Sequence, residues 1–313
     1  MNALTAQEHV LTLQAGVHVF ERGWLSANNV LFIDGNDTAL VDSGYKTQAD
    51  QTVALVEHRL SGRPLRHLIN THLHSDHCGG NAALQRRWRP RTSIPAGNRE
   101  AVHAWDMEAL TYTATGQQCE RFRYDDVLLD GETRRLASID WQVLAAPGHD
   151  PHAVMLYAPQ ERVLISGDAL WEDGFGIVFP ELEGESGFAE QSAVLTRISG
   201  LDIRLVIPGH GRPFTDIEGA LERAVGKLGY LRADPARHAT NALKVLVMFR
   251  VLEQQRTTRR SLLRWMAETP LIQSISSQYL SGQTLTSTLD ATISRLTAAD
   301  VLTLDNEWVC PRQ

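Results

Sequence analysis

Residues 71–80 read Thr71-His72-Leu73-His74-Ser75-Asp76-His77-Cys78-Gly79-Gly80 and follow directly on the apolar run 65–70. Three imidazoles and a carboxylate fall within six positions. Imidazole nitrogen and carboxylate oxygen are the donors that a borderline cation such as Zn²⁺ takes. His72 and His74 sit two apart at the end of a predicted strand, so in extended backbone they point the same way. Asp76 and His77 fall at the turn into a helix predicted over 79–88 and can address a second, neighbouring position. Gly79-Gly80 reads as a tight backbone bend beneath the donors. A surface histidine cluster, or a helix cap made by Asp76, is the ordinary alternative. It accounts poorly for H-x-H-x-D-H placed straight after an apolar strand.

Four donors do not close two metal positions, so the rest must come from elsewhere. Pro147-Gly148-His149 follows a strand predicted over 141–145. Ser166-Gly167-Asp168 follows the apolar run 163–165. Pro208-Gly209-His210-Gly211 follows the run 204–207. Each supplies a donor from a glycine-bearing loop just past a strand, where one edge of a sheet can gather them. A lone Gly-His or Gly-Asp pair is usually a turn; three in this context, added to the first segment, complete a donor set.

In type and order these residues resemble the metallo-β-lactamase-fold hydrolases, and within them the glyoxalase II-like, two-metal branch. The resemblance covers roughly residues 15–215. It implies an α/β (α+β) chain folded as a four-layer αβ/βα sandwich. It also implies that His72, His74 and His149 hold one metal, that Asp76, His77 and His210 hold another, and that Asp168 bridges them. Position 168 is Asp rather than the Cys of one class of true β-lactamases. Cys78 then reads as a small packed residue and His152 as a supporting one. A flavin-linked di-iron enzyme of this fold is expected to have Glu where His74 stands. A mononuclear iron dioxygenase is expected to lack a full second site.

Elsewhere the pattern is β-rich first, then mixed. Strands are predicted over 17–20, 29–34, 38–42, 65–70, 92–95, 127–129, 141–145, 153–157, 163–166 and 204–207, and helices over 47–61, 79–88, 97–108 and 188–198. Two sheets covered by helices satisfy such an order. After Pro213 the character changes. Helices are predicted over 216–232, 238–255, 259–268 (stopped by Pro270) and 284–296, then a hairpin around Asp305-Asn306. Residues 235–313 carry nine Lys/Arg against six Asp/Glu, whereas the whole chain of 313 residues has a net charge of −7. Two domains are expected, 1–234 catalytic and 235–313 small, helical and winged-helix-like. That tail resembles the appendix of the superfamily branch containing a mitochondrial β-lactamase-like endoribonuclease.

Hydrophobic residues make up 43% of the chain and charged residues 21%, enough for a buried core. The acidic balance argues against a nucleic-acid-coating protein. Three scattered cysteines, Cys78, Cys119 and Cys310, are no disulfide framework, and no apolar stretch reaches a membrane span. With no basic, apolar leader at residues 1–16, a cytoplasmic protein is expected.

The expected cofactors are two divalent metal ions, Zn²⁺ first by donor type, with Fe and Mn tolerating the same set. Two such cations, two carboxylates and a bridging hydroxide leave about one positive charge, which favours an oxygen that turns anionic during reaction. Asp76 is the expected catalytic proton holder. Trp171, Phe175 and Phe179, in the aromatic and glycine-rich stretch after Asp168, are the expected substrate-binding wall, and residues 97–120 are a candidate for the other side. Trp171 stands where a quorum-signal lactonase of this superfamily is expected to have Tyr. The expected function is metal-dependent hydrolysis of a small-molecule thioester, ester or lactone. The alternative is a single-strand-specific nuclease cutting phosphodiesters at the same two-metal site, with Arg256, Arg259, Arg260 and Arg264 gripping phosphates. The tail is expected to pack against the catalytic unit, to shape the pocket or to build a homodimer.

Overall fold

A computed structural model describes residues 7–12 and 16–312. Seven strands form the first sheet in sequence order: β1 (Gln7–Thr12), β2 (Gly16–Glu21), β3 (Asn29–Asp34), β4 (Asp37–Val41), β5 (His67–Ile69), β6 (Arg91–Pro95) and β7 (Asp126–Leu128). The first four form an antiparallel meander; β4 to β7 run parallel. The second sheet orders β12 (Leu205–Pro208), β11 (Val163–Gly167), β10 (Val154–Ala158), β9 (Ile139–Ala145) and β8 (Thr133–Leu136). Its pairs are antiparallel except β11 with β12.

The two sheets pack face to face. Val17, Val19, Val30, Phe32, Ala39, Val41 and Ile69 from the first meet Ile139, Trp141, Val143, Leu156, Val163, Ile165 and Ile207 from the second. Trp141 is fully buried and sets its ring edge-on to Phe32 at 5.4 Å between centroids. Phe20, Leu31, Leu40 and Leu68 point the other way, onto Leu55, Val56 and Leu60 of α1 (Ala49–Leu60) and Leu84 of α3 (Asn81–Trp88), with the single turn α2 (Ser75–Cys78) between. Met155, Tyr157, Leu164 and Val206 likewise pack under α7 (Phe188–Ser199) and α8 (Ile217–Arg232). The result is the four-layer sandwich. Its central strands are buried on both faces, which is why they appear in sequence as continuous apolar runs rather than alternations.

Short helices α4 (Arg99–Ala104), α5 (Tyr112–Thr115) and α6 (Phe179–Leu182) lie in the connections. A C-terminal helical sub-domain follows: α9 (Pro235–Gln254), α10 (Arg259–Glu268), α11 (Pro270–Tyr279) and α12 (Leu285–Ala298), with a three-stranded sheet ordered β13 (Thr257–Thr258), β15 (Trp308–Pro311), β14 (Leu302–Asp305). Its core also takes in Ile177 and Leu182 from the loop after Asp168. Pro270 ends one helix and opens another. It occupies the first position of α11, where its missing N–H costs no helical bond. That helix and the strands β1, β8 and β13 were not anticipated; short strands and a proline-led helix carry little periodicity.

Gly79 and Gly80 form the expected bend, the turn between α2 and α3. Both have ordinary negative φ, −63° and −86°. A Cβ on Gly79 would lie 2.5 Å from Lys46 N, and one on Gly80 2.3 Å from Ser43 O. Glycine is required in this turn by the close approach of two backbones, not by the turn's own dihedrals. A second tie joins the sandwich to α9. The fully buried Tyr45 donates its hydroxyl to Glu253 Oε1 at 2.7 Å, and Arg250 pairs with the same carboxylate. Tyr45→Phe is expected to cost about 2 kcal/mol, the loss of a hydrogen bond to a charged group, as a lowered midpoint in urea unfolding.

Candidate metal centre

The seven sequence-predicted donors come together at one edge of the sandwich. Their loops leave the C-terminal ends of β5, β9, β11 and β12. His72, His74, His77, His149, Asp168 and His210 are buried, and Asp76 is half-buried. Donor atoms lie within 4.8 Å of one another in three overlapping groups: His72, His74 and His149; His72, His77 and Asp168; Asp76, His77 and His210. Asp168 sits between the ends. Its Oδ1 is 3.3 Å from His77 Nε2, and its Oδ2 is 3.4 Å from His149 Nε2 and 3.9 Å from His210 Nε2. His74 Nδ1 lies 2.7 Å from His149 Nε2, and Asp76 Oδ2 lies 3.1 Å from His210 Nε2.

Neighbouring groups fix which ring nitrogen faces inward. His77 Nδ1 donates to Asp42 Oδ2 at 2.7 Å, His149 Nδ1 to the Ile177 carbonyl at 2.5 Å, and His210 Nδ1 to the Gly23 carbonyl at 3.2 Å. Each arrangement leaves Nε2 as the inward lone pair, the orienting pattern seen around metal-bound imidazoles. His74 is turned over: Nδ1 faces inward and Nε2 lies 3.8 Å from Asp150 Oδ2. Close contacts hold the frame. Gly209 leaves Asp168 its space, since a Cβ there would lie 2.2 Å from Oδ1, and Gly176 does the same for His149. The Asn28 side chain donates to the carbonyls of Pro208 and Gly211, clamping the His210 loop.

The residues fit a pair of cations. His72 Nε2 and His77 Nε2 are fully buried and have no hydrogen-bond partner. Orphaned polar atoms of this kind are costly unless something absent from the protein atoms engages them. Burial, reinforced by its histidine neighbours, holds His72 well below the usual imidazole range. Burial is also the main cause that pushes His74 and His149 down to about 4. These three are therefore neutral near pH 7, the form that binds metal. Burial opposes a charge on His77 and His210 as well, but Asp42, Asp168 and Asp76 around His77, and Asp168 and Asp76 around His210, outweigh it and raise both. Burial likewise works against the Asp168 carboxylate, yet His77 and His210 hold it well below the ordinary range. The His/Asp cluster is thus a binuclear metal-binding site.

The cluster lies at a cavity of about 370 Å³, a size typical of small-molecule sites. Trp171, Phe175 and Phe179 all line it, beside Asp76, His74 and His149. Trp171 Nε1 also donates to Asp168 Oδ1 at 3.2 Å, and Trp24 stacks on the His210 ring at 5.5 Å. Of residues 97–120, Thr115 and Gln117 reach the cavity. Much of the opposite wall is α9, through Asn241, Lys244, Val245, Met248, Phe249 and Leu252. Cys78 is packed against the Tyr112 hydroxyl at 3.1 Å, and His152 lies against Gly97.

Sequence reasoning missed Asp42, Asp150, Trp24, Lys227 and the α9 wall. Asp42 alone left a signal: a carboxylate closing the apolar strand 38–42, just before Ser43-Gly44. It sits in left-handed backbone at φ 58°, uncommon for a side chain other than glycine.

Comparison with known proteins agrees with the geometry. A hydroxyacylglutathione hydrolase of Methylococcus capsulatus is 31% identical over 130 residues, 42% of this chain and 41% of that protein. A beta-lactamase-like protein 2 homolog of Caenorhabditis elegans is 26% identical over 185 residues, 59% of this chain and 55% of that protein. The chain spans about half the length of the curated relatives it matches. The crystal structure of a metallo-beta-lactamase family protein from Thermus thermophilus superposes with a TM-score of 0.53 over 98% of both chains at 18% identity, a likeness of fold. Residues 22–210 match the model of the Metallo-beta-lactamase superfamily, more than half of the sequence and all seven donors, and the chain belongs to that superfamily.

Proposed function

We propose that this protein is a metal-dependent hydrolase of a small-molecule thioester, ester or lactone. The observation that carries the reading is the buried donor cluster opening onto a cavity with largely apolar walls. His72, His74 and His149 would hold one cation and Asp76, His77 and His210 the other, with Asp168 placed to serve both. Zn²⁺ is the first choice by donor type. Bound there, two divalent cations supply a water ionised near neutral pH and a Lewis acid for the carbonyl oxygen.

The protein's own groups do the rest. Asp76 sets Oδ2 3.1 Å from His210 Nε2, where both would face one cation, and keeps its other oxygen to hold the proton of the attacking water. Trp171 steadies Asp168 through its indole N–H. Phe179 sets its ring 5.2 Å from that of His74, so a substrate lying on this wall meets the donors directly while water is excluded. The name of the Methylococcus relative, a hydroxyacylglutathione hydrolase, agrees with an acyl substrate.

We also propose 1–234 as the catalytic domain and 235–313 as a winged-helix-like domain, on the helices α9–α12 beside the small β13-β15-β14 sheet. Its function here is to wall the cavity. The nuclease alternative finds less support: Arg259 is spent in a two-point pair with Asp290, at 2.6 and 2.5 Å, and Arg256 lies over the Trp308 ring.

Metal-loaded protein should be offered S-lactoylglutathione, short acyl-CoA thioesters, homoserine lactones and labelled single-stranded RNA. Thioester, ester or lactone turnover is expected, lost on dialysis against a strong chelator and restored by Zn²⁺ or Mn²⁺. RNA cleavage that disappears in His74→Ala, with the small substrates untouched, would overturn the ranking.

A further inference from the structure

Two cationic side chains enter the cavity that the hydrolase mechanism does not use. Lys227 comes from α8 and Lys244 from α9. Neither has a carboxylate partner within 4.0 Å among the described residues, although this chain forms ion pairs freely elsewhere. Lys227 spends one N–H on the Phe175 carbonyl at 2.8 Å and sits 4.8 Å from the Phe175 ring centroid and 5.6 Å from that of Trp171. Its stem lies against Gly174, where a Cβ would fall 2.7 Å from Cδ. Those contacts explain where Lys227 lies. They do not explain Lys244, which makes no side-chain hydrogen bond among the described residues and shares the wall with Asn241, one turn earlier on α9.

Half-buried ammonium groups against apolar walls are costly unless an anion joins them. Burial first, and then repulsion from Lys244, pushes Lys227 down to about 8, so the two cations crowd one another. Lys227 also feels the charge of Asp168, and both lysines line the same cavity as the donor cluster. Further along the same face of α9 the wall turns apolar: Val245, Met248, Phe249 and Leu252, with Leu296 of α12 and Val301 beyond. The cavity is therefore charged at one end and greasy at the other.

We propose that Lys227 and Lys244, assisted by Asn241, form an anion-binding subsite, and that the substrate is an amphipathic anion: a carboxylate or phosphate near the scissile bond, joined to an apolar chain lying along α9. This deepens the hydrolase reading and rests on it for the bond that is cut, but the subsite itself can be tested without turnover.

The experiment is calorimetric titration of the metal-free full chain with octanoate, octyl phosphate, butyrate and 1-octanol. Octanoate or octyl phosphate is expected to bind at least tenfold more tightly than 1-octanol, which has the chain without the charge. It should also bind at least tenfold more tightly than butyrate, which has the charge without the chain. Whichever of the two octyl anions binds better identifies the group as carboxylate or phosphate. Lys244→Met, which breaks no side-chain hydrogen bond among the described residues, should remove most of the preference over 1-octanol, and Lys244→Arg should keep it. The Lys227→Met, Lys244→Met double variant should abolish it. Equal binding of octanoate, octyl phosphate and 1-octanol, or an unchanged preference in Lys244→Met, would overturn the subsite. Anion binding that follows the lysines in a protein hydrolysing none of the small substrates would retain the subsite and refute the hydrolase reading instead.

Discussion

Asp168→Ala is expected to lose at least one equivalent of metal and to lower kcat/KM by about 10³-fold or more, roughly 4 kcal/mol of transition-state stabilisation. The reason is position. Asp168 presents Oδ1 to His77 and Oδ2 to both His149 and His210, so its carboxylate reaches both ends of the cluster. Removing it also takes from His77 and His210 one of the carboxylates that together outweigh their burial. Asp168→Glu should not rescue, because Gly209 and the Thr71 side chain against Gly167 leave no room to shift a longer chain. Elemental analysis of the purified variant and steady-state kinetics on whichever small substrate turns over are the measurements. Full metal content with undiminished turnover would refute the bridging role.

Asp42→Ala is expected to act on stability and metal affinity together. Asp42 is buried and accepts three hydrogen bonds: from Thr71 N at 2.9 Å, Thr71 Oγ1 at 2.8 Å and His77 Nδ1 at 2.7 Å. Alanine strands all three donors in a dry setting, at about 1–3 kcal/mol each before relaxation. A total loss of about 3–5 kcal/mol should appear in urea unfolding, since such groups act as a unit and do not add in full. Free of its acceptor, the His77 ring is no longer held with Nε2 inward, and metal affinity should fall about 10–100-fold in competition with a chelating dye. Asp42→Asn keeps an acceptor for Thr71 and should recover most of the stability while leaving the metal affinity low. An alanine variant as stable and as tightly metallated as the parent would show that Asp42 does not orient the centre.

The amino-acid order by itself determined the donor types and the strand ends that carry them. H-x-H-x-D-H after an apolar run, and Gly-His or Gly-Asp loops after three others, are local signals, because a donor just past a buried strand must emerge at the sheet edge. The four-layer sandwich was legible for a similar reason: strands buried on both faces leave continuous apolar runs. The tertiary structure alone decided the rest. Asp42 meets His77, 35 residues later, only because β4 and β5 run parallel with matched ends. Gly79 and Gly80 are needed for a backbone brought from 43–46, not for their own turn's dihedrals. Lys244 and the apolar face of α9 look along the chain like any amphipathic helix, and they become a cavity wall only when α9 packs back over the sandwich. Contacts between segments remote in sequence leave no periodicity to read; they exist only once the layers have closed.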